Sequence, residues 1–165
     1  MQRFQRLIAL VAVVVITLPA SLNAENRNRE RTAVEVIVAA MNRERAARGL
    51  RPLRINERLS QAAYDRIEDM FAKSYFAHVS PDGTQPFVWA QMRGYRYRLI
   101  GENLAVGYRG VAVVDGWMHS RGHRENILQR SFDEVGIAIS EGSPRSGYRG
   151  PTVVAMYGAS TVAMR

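Results

Sequence analysis

Three histidines and one isolated glutamate are the side chains of this chain best suited to chemistry. The histidines are His78, His119 and His123. Glu102 stands between glycine and asparagine in the otherwise apolar residues 101–105. Burying a carboxylate without a partner is costly, so we expect Glu102 to meet imidazoles from neighbouring loops. His78 and His123 are the candidates for that role.

Two neutral imidazoles that meet across a cleft can bind a divalent transition metal, and zinc takes such nitrogens at about 2.0–2.1 Å. His78 and His123 would be the ligands, and Glu102 would orient one ring by accepting its N–H. Two protein ligands make a weak site. The same residue types also fit a hydrogen-bonded polar cluster that shapes a cleft and holds no metal tightly.

His119 lies four residues before His123, which is the spacing of the paired histidines in zinc proteases. That pattern requires a glutamate directly after the first histidine, where this chain has Ser120, and Gly122 interrupts the helix. We therefore expect His119 to be exposed near the C-terminus of a helix, where a cation is mildly favoured.

Nucleophilic catalysis has little support in the residue types. The chain contains no cysteine, which excludes a thiol nucleophile, a thiolate zinc site and a disulfide framework. Ser80 and Ser120 lie near the histidines in sequence, but no Gly-x-Ser-x-Gly elbow surrounds either of them.

The composition is that of one ordinary globular domain. The chain has 165 residues, of which 47% are hydrophobic and 23% are charged, which excludes a wholly disordered chain and a separate cofactor domain. The formal net charge is +8, and 22 of the 23 basic residues are arginine. Arginine and tyrosine alternate near residues 92–98, a pattern that suits nucleic acid, an anionic envelope polymer, a lipid head group or a simple solvated surface.

The first 24 residues have the three-part organisation of a secretory signal peptide. Arg3 and Arg6 precede an apolar run, and Ala24 offers a cleavage point. The run is shorter than the roughly 20 residues that span a bilayer, so we expect cleavage and export to the periplasm or the outside of the cell. Export makes nucleic acid an unexpected partner. We assign residues 1–24 to the signal peptide, 25–31 to a flexible lead-in and 32–165 to one domain.

Apolar residues at helical spacing predict helices over the first part of the domain. Thr32 to Glu35 forms a capping box, and Arg45 and Arg66 fall on polar faces that we expect to face water. The predicted helices run from Thr32 to Gly49, from the N-cap Asn56 to about Lys73, from Thr84 to Gly94, from Val111 to about Ser120 and, after a break at Gly122, from Arg124 to Gln129.

The C-terminal third changes to the two-residue period of β-strands. Val135 to Ile139 and Thr152 to Tyr157 are expected to pair as an antiparallel hairpin across a turn-rich connection. Residues 98–105 are expected to form a third strand or an extended segment. Helices followed by a small antiparallel sheet predict one α+β domain.

Five short motifs follow one another between Thr32 and Gly158. They are Asn42-x-x-Arg45-x-x-x-Gly49-Leu50-x-Pro52-Leu53, Phe76-Ala77-His78-x-Ser80-Pro81-Asp82-Gly83, Gly101-Glu102-Asn103-Leu104-Ala105, Trp117-Met118-x-Ser120-x-Gly122-His123-Arg124-x-Asn126-Ile127-Leu128 and Phe132-x-Glu134-Val135-Gly136-Ile137. Each motif is weak alone. In this order they resemble the CAP superfamily of cysteine-rich secretory, antigen 5 and pathogenesis-related proteins, which is called the SCP domain in bacteria, here in a cysteine-free form.

The resemblance implies a three-layer α-β-α sandwich with a small central antiparallel sheet and a wide cleft lined by two histidines and two acids. Carried over to this chain, the cleft contains His78, Glu102, Asn103 and His123. Ser120 stands at the position of the second acid. A serine supplies neither a charge nor a strong base, which weakens any mechanism that needs two carboxylates.

Two functions of different classes follow. The first is an exported module that binds a lipid, an envelope polymer or glycan, or a protein through the cleft. The second is a metal-assisted hydrolase acting on peptide or cell-wall material, in which a metal on His78 and His123 activates water and Glu102 is the base. Ser120 in place of the second acid favours the first. The only cofactor expected is a weakly bound divalent cation such as zinc.

Overall fold

The structure is a computed structural model that describes residues 20–161 of the chain. Within that range the chain forms five helices and four strands. The elements are α1 (Ala20–Ala46), β1 (Arg54–Ile55), α2 (Glu57–Ala72), α3 (Pro86–Met92), β2 (Tyr97–Val106), α4 (Val111–His119), α5 (Arg121–Leu128), β3 (Glu134–Ser140) and β4 (Thr152–Ser160).

The four strands form one sheet in the order β1-β3-β4-β2. β3 and β4 pair as the predicted antiparallel hairpin, and β2 pairs antiparallel with the other side of β4, with Glu102 opposite Met156. β1 pairs in parallel with β3 at the opposite edge. The sequence did not indicate β1, because two residues are too few to show a two-residue period. The sheet therefore ends at β2 on one side.

Helices cover both faces of this sheet, which confirms the three-layer α-β-α sandwich. One face carries α1, α4 and α5, with buried side chains that include Ile37, Met41, Trp117, Ile127 and Tyr157. The other face carries α2 and α3, with Leu59, Ile67, Met70, Ala90 and Met156 among its buried side chains. α2 lies so close to the sheet that a Cβ atom on Gly136 of β3 would come within 2.0 Å of the Leu59 backbone.

Helix α1 begins at Ala20, well before the predicted start at Thr32. Thr32 does not cap the helix, because its Oγ1 donates to the carbonyl oxygen of Asn28 one turn earlier, at 2.9 Å. Residues 25–31, which the sequence assigns to a flexible lead-in, form exposed helical turns. Ion pairs between side chains four residues apart support these turns, and the capping pattern alone did not reveal them.

Two other helix boundaries differ from the prediction. Gln85, and not Thr84, is the N-cap residue of α3, and Pro86 occupies the first turn, where its missing N–H is not needed. The break between α4 and α5 falls at Ser120, whose backbone is extended, and Gly122 lies inside the first turn of α5. The predicted break at Gly122 is therefore wrong by two residues.

The predicted signal peptide lies mostly outside the described residues, because residues 1–19 are not among them. Cleavage after Ala24 stays a prediction. Between residues 20 and 161 no helix has both the length and the apolar character needed to cross a membrane.

Candidate functional site

The candidate site lies on the edge strand β2, between the two helical layers. Glu102 and Asn103 are consecutive residues of β2, so their side chains point to opposite faces of the sheet. Glu102 meets Arg66 of α2 on one face. On the other face, Nδ2 of Asn103 donates to the carbonyl oxygen of His123 in α5 at 3.0 Å. One strand thus connects both helical layers at the site.

His78 lies in the loop after α2 and contacts Glu102 directly. Its Nδ1 lies 2.8 Å from Oε1 of Glu102. A carboxylate accepts hydrogen bonds and does not donate them, so Nδ1 carries a proton, and in the neutral ring Nε2 is the nitrogen that has a lone pair. The His78 side chain is 53% exposed, whereas that of Glu102 is 4% exposed. Glu102 therefore orients a ring whose other nitrogen is available to a ligand.

Arg66 of α2 holds both Glu102 and the loop that carries His78. Its Nε donates to Oε2 of Glu102 at 3.1 Å, and its Nη2 donates to the carbonyl oxygen of His78 at 2.9 Å. Further N–H groups donate to the hydroxyl of Tyr75 and to the carbonyl oxygen of Ala77. Arg66 is fully buried, so the prediction that it faces water is wrong. Its acceptors come from a loop and a strand that the helical pattern does not include.

His123 lies on α5, opposite His78. The two imidazole centroids are 6.4 Å apart, and the ring planes are inclined by 54°. Burial lowers the pKa of His123, and the neighbouring charge of His78 lowers it further. Asn103, which fixes the His123 backbone, is fully buried and also donates to the hydroxyl of Tyr157 at 3.0 Å. The ring of His123 is thus presented from a rigid backbone.

Asn126, one turn after His123, joins α5 to the edge strand. Its Nδ2 donates to the carbonyl oxygen of Glu102 at 3.0 Å and to Oδ1 of Asn103 at 2.8 Å. A Cβ atom on Gly101 would lie 2.7 Å from Oδ1 of Asn126, so only glycine leaves room for this contact. Asn126 belongs to the fourth sequence motif, but the residue type alone did not indicate this role.

A second polar cluster fixes the loop before and after His78. Lys73 pairs with Asp69 at 2.6 Å and with Asp82 at 2.5 Å. Burial alone would raise the pKa of Asp69, but hydrogen bonds from Lys73, Tyr75 and Ser80 outweigh that effect and lower the pKa. Hydrogen bonds from Lys73 and Thr84 hold the pKa of Asp82 below its usual range. Lys73 therefore links the end of α2 to Asp82, and this pair holds together the two ends of the loop that carries His78.

Neither candidate serine is arranged as a nucleophile. Ser80 is 3% exposed, and its hydroxyl contacts Asp69 at 2.8 Å and Tyr75 at 2.6 Å rather than an imidazole. Ser120 lies at the junction of α4 and α5. Within residues 20–161 its hydroxyl has no hydrogen-bond partner, so no base activates it.

Two polar side chains near the cleft residues in sequence, His119 and Glu125, have partners elsewhere. His119 is in the exposed last turn of α4, where its Nδ1 contacts the carbonyl oxygen of Asp115 at 2.7 Å. This is the surface position that the sequence predicts. Glu125 is exposed and pairs with Arg121 at 2.9 Å. It does not replace the acid that Ser120 fails to supply.

Within residues 20–161 the cleft offers a metal ion two imidazoles and no third histidine or acidic side chain that completes a ligand group. Among the described residues no group of three or more histidine or acidic side chains is placed to hold a metal ion. Two imidazoles bound to one zinc ion at about 2 Å per nitrogen have ring centroids about 5–6 Å apart. The separation of 6.4 Å between His78 and His123 is close to that range. The donor set therefore fits at most a weak two-histidine site.

Comparison with known proteins identifies relatives of this chain. It is 42% identical over 106 residues to the uncharacterised protein YkwD of Bacillus subtilis, an alignment that covers 64% of this chain and 41% of that protein. An uncharacterised membrane protein of the same species, YlbC, is 29% identical over 109 residues, which are 66% of this chain and 32% of the relative. The chain thus spans less than half the length of either relative.

Solved structures share the fold. An extracellular protein from Bacillus anthracis that contains an SCP domain superposes with a TM-score of 0.67 at 25% identity, over 78% of this chain and 41% of that one. An outer surface protein of Borrelia burgdorferi superposes with a TM-score of 0.69 at 19% identity, over 79% of this chain and 94% of that one. The sequence profile of the Cysteine-rich secretory protein family, CAP, matches residues 38–157. That range includes every residue of the cleft, and the chain belongs to the CAP family.

Proposed function

We propose that the protein is an exported binding module whose ligand occupies the cleft at His78 and His123. Glu102 and the buried Asn103 hold these two residues, and Ser120 stands at the position of the family's second acid. The ligand classes are a lipid, an envelope glycan and a protein. Export is supported by the signal-peptide pattern and by structural relatives described as an extracellular and an outer surface protein. The compartment is the periplasm or the outside of the cell.

The observation that carries this proposal is the double engagement of Glu102. One of its oxygens accepts from the buried Arg66 and the other contacts Nδ1 of His78. A general base needs a carboxylate oxygen that can reach a proton on water or substrate. In Glu102 one oxygen accepts from Arg66 and the other orients His78, which supports a role in positioning that ring for recognition.

The fourth position of the cleft supports the same conclusion. Ser120 replaces the acid that the family pattern supplies, and the nearby Glu125 is paired with Arg121 on the surface. A hydrolase built on two carboxylates therefore lacks one of them. Metal-assisted hydrolysis of peptide or cell-wall material remains the alternative function, and it would require Glu102 to release one of its partners.

A weak divalent cation is part of the proposal, because Glu102 engages only Nδ1 of His78 and the ring of His123 is close. Bound zinc would supply Lewis acidity to a ligand oxygen.

Calorimetric titration of Zn²⁺ at pH 7 tests this site. We expect His78→Ala and His123→Ala to abolish binding, His119→Ala to leave it unchanged and Ser120→Glu to strengthen it. Glu102→Gln should weaken binding by about ten- to a hundredfold. Equal affinity in the parent and both cleft variants would contradict a metal site.

Ligand binding itself is tested with the mature protein against vesicles of defined lipids, envelope glycans and exported proteins. Any ligand of the cleft should lose about tenfold in affinity in His78→Ala and in His123→Ala, because each variant removes one hydrogen-bonding ring from the contact. His119→Ala is the matched control and should bind normally, because its ring lies on the outer end of α4. Binding that none of the three variants changes would place the ligand elsewhere. Turnover of a peptide or glycan, lost in His78→Ala, would support the hydrolase instead.

A further inference from the structure

The pairing of β2 determines which of its backbone groups face the open edge of the sheet. In an antiparallel pair, alternate residues exchange both hydrogen bonds with the neighbouring strand and the residues between them face away. Ile100 lies opposite Gly158, whose carbonyl oxygen accepts from the N–H of Asp133 on the other side of β4. Ile100, Glu102 and every second residue after them therefore direct N–H and C=O outward.

Side chains from α4 and α5 close the inner part of this edge. Asn126 donates to the outward carbonyl oxygen of Glu102, and Trp117 donates to that of Leu104, each at 3.0 Å. Both bonds agree with the outward direction derived from the strand register. Side chains that bond to an edge strand in this way prevent unwanted strand pairing. No such bond is made to the backbone of β2 before the carbonyl oxygen of Glu102 in the described part of the chain.

The outer part of the edge is open. Leu99 is 38% exposed, and Ile100 and Gly101 are half-buried, whereas residues 102–105 are buried. Within the described part of the chain, no group accepts the N–H of Ile100 or Glu102, and none donates to the carbonyl oxygen of Ile100. The N–H of Ile100, the carbonyl oxygen of Ile100 and the N–H of Glu102 thus face outward one after another. The backbone of an extended peptide can supply a carbonyl oxygen, an N–H and a second carbonyl oxygen in the matching order.

We propose that an extended polypeptide segment of a partner protein binds this cleft by adding as a strand to β2 at Ile100 and Glu102. This inference rests on the proposed function and names the ligand class. The added strand lies beside Glu102 and therefore next to the rings of His78 and His123. Its side chains alternate between the two helical layers. A lipid chain has no series of alternating N–H donors and carbonyl acceptors. A glycan has hydroxyl groups, but they do not repeat with the spacing of a β-strand backbone.

The probe is a library of N-acetylated hexapeptide amides, screened against the mature protein. Each binder is then resynthesised with a single N-methyl group at each position. Methylation of the amide that faces β2 should weaken binding about tenfold, because it removes one hydrogen bond to the strand. Methylation of the neighbouring amides, which face away, is the matched control and should change affinity little.

Amide hydrogen exchange of the protein provides a second readout. On peptide binding the N–H groups of Ile100 and Glu102 should exchange at least about tenfold more slowly, because they gain acceptors. The N–H groups of Gly101 and Asn103 are already paired with β4 and should change little.

Ile100→Pro removes one outward N–H at an edge position where proline is tolerated. It should weaken peptide binding about tenfold, whereas Ile100→Val should not. If Ile100→Pro does not fold, the N-methyl scan on the parent protein still decides.

Three outcomes would overturn the inference. They are the absence of any hexapeptide binder below about 1 mM, binders without the alternating N-methyl pattern, and protection of Ile100 and Glu102 by dimerisation instead of by peptide. Failure of the proposed function is distinguishable from these. A lipid or glycan whose binding requires His78 but does not protect the two amides refutes only the peptide proposal. Peptide binding that is indifferent to His78→Ala and His123→Ala refutes the His-lined cleft.

Discussion

The buried pair of Arg66 and Glu102 allows a quantitative test of how the cleft is held. Arg66→Met replaces the guanidinium with an apolar side chain of similar length. It leaves Oε2 of Glu102 and the carbonyl oxygen of His78 without their donor. Glu102→Met leaves the guanidinium buried and short of one acceptor. Each single substitution therefore creates an unpaired buried polar group, whereas the double substitution removes both charges.

The expected magnitude follows from burial. The Arg66 side chain is 0% exposed and that of Glu102 is 4% exposed, and breaking one half of such a pair costs about 3–5 kcal/mol. Replacing both partners with packed apolar groups is often close to neutral. Here some cost remains, because Arg66 also donates to Tyr75 and to Ala77. We expect the double variant to be more stable than the sum of the single changes by at least about 2 kcal/mol.

The assay is urea-induced unfolding of the four proteins at pH 7, followed by circular dichroism. The matched control is the cycle on Arg109 and Glu141, an arginine–glutamate pair with two bonds of 2.7 Å whose side chains are 66% and 71% exposed. Water screens that pair, so its coupling energy should stay below about 1 kcal/mol. Additive effects at Arg66 and Glu102, within about 0.5 kcal/mol, would refute the argument that this pair holds the cleft.

Three further predictions concern the edge strand, the loop and the N-terminus. Gly101→Ala should destabilise the protein by about 1–3 kcal/mol in urea unfolding, because its Cβ would lie 2.7 Å from Oδ1 of Asn126; an unchanged midpoint would contradict this contact. Lys73→Met should raise the carboxyl pKa of Asp82 towards its ordinary value of 3.8, as measured by NMR titration, and an unchanged titration would refute the pairing. Because the folded pKa of Asp82 is lowered, the stability that this pair contributes is present above pH 3.8 and is lost as the pH falls through the folded pKa. The exported protein should begin at or near Glu25 by mass spectrometry, and recovery of membrane-bound protein with an intact N-terminus would contradict cleavage.

The sequence predicted correctly those helices and strands whose apolar pattern and end residues lie within their own segment of the chain. Helix α2 combines a regular apolar stripe with the N-cap Asn56, whose side chain accepts from the backbone N–H groups of Arg58 and Leu59. The β3–β4 hairpin combines two apolar runs with a glycine-rich connection. The start of α1 was missed because the prediction relied on an apolar face, which residues 25–31 lack. The four-residue spacing of their charged side chains is the signal that indicates these helical turns. β1 was missed because it exists only through its pairing with β3.

The cost of burying a lone carboxylate suggested imidazole partners for Glu102, and the family resemblance placed His78, Glu102 and His123 in one cleft; spacing along the sequence did not. The two residues that complete the arrangement were assigned to the surface or left without a role. Arg66 bonds to acceptors that lie 9 to 36 residues away in sequence, and Asn126 to acceptors that lie 23 and 24 residues away. Arg45 is also buried rather than facing water, and it donates to the carbonyl oxygens of Ile127 and Phe132. A sequence pattern shows that a side chain is polar. It does not show which carbonyl oxygens, distant in sequence, the fold will bring to a buried guanidinium to satisfy its N–H groups.

The contrast in exposure within the site indicates how a ligand meets it. His78 is 53% exposed, yet Glu102 and Arg66, which hold its ring and its backbone, are almost fully buried. The ring is therefore oriented before a ligand arrives, and binding immobilises little that was free. Glu102 performs this task from β2 while the adjacent Asn103 fixes His123 from the opposite face. Because one strand positions both histidines, the proposed recognition would need a single carboxylate, and a serine at the position of the second acid is compatible with it.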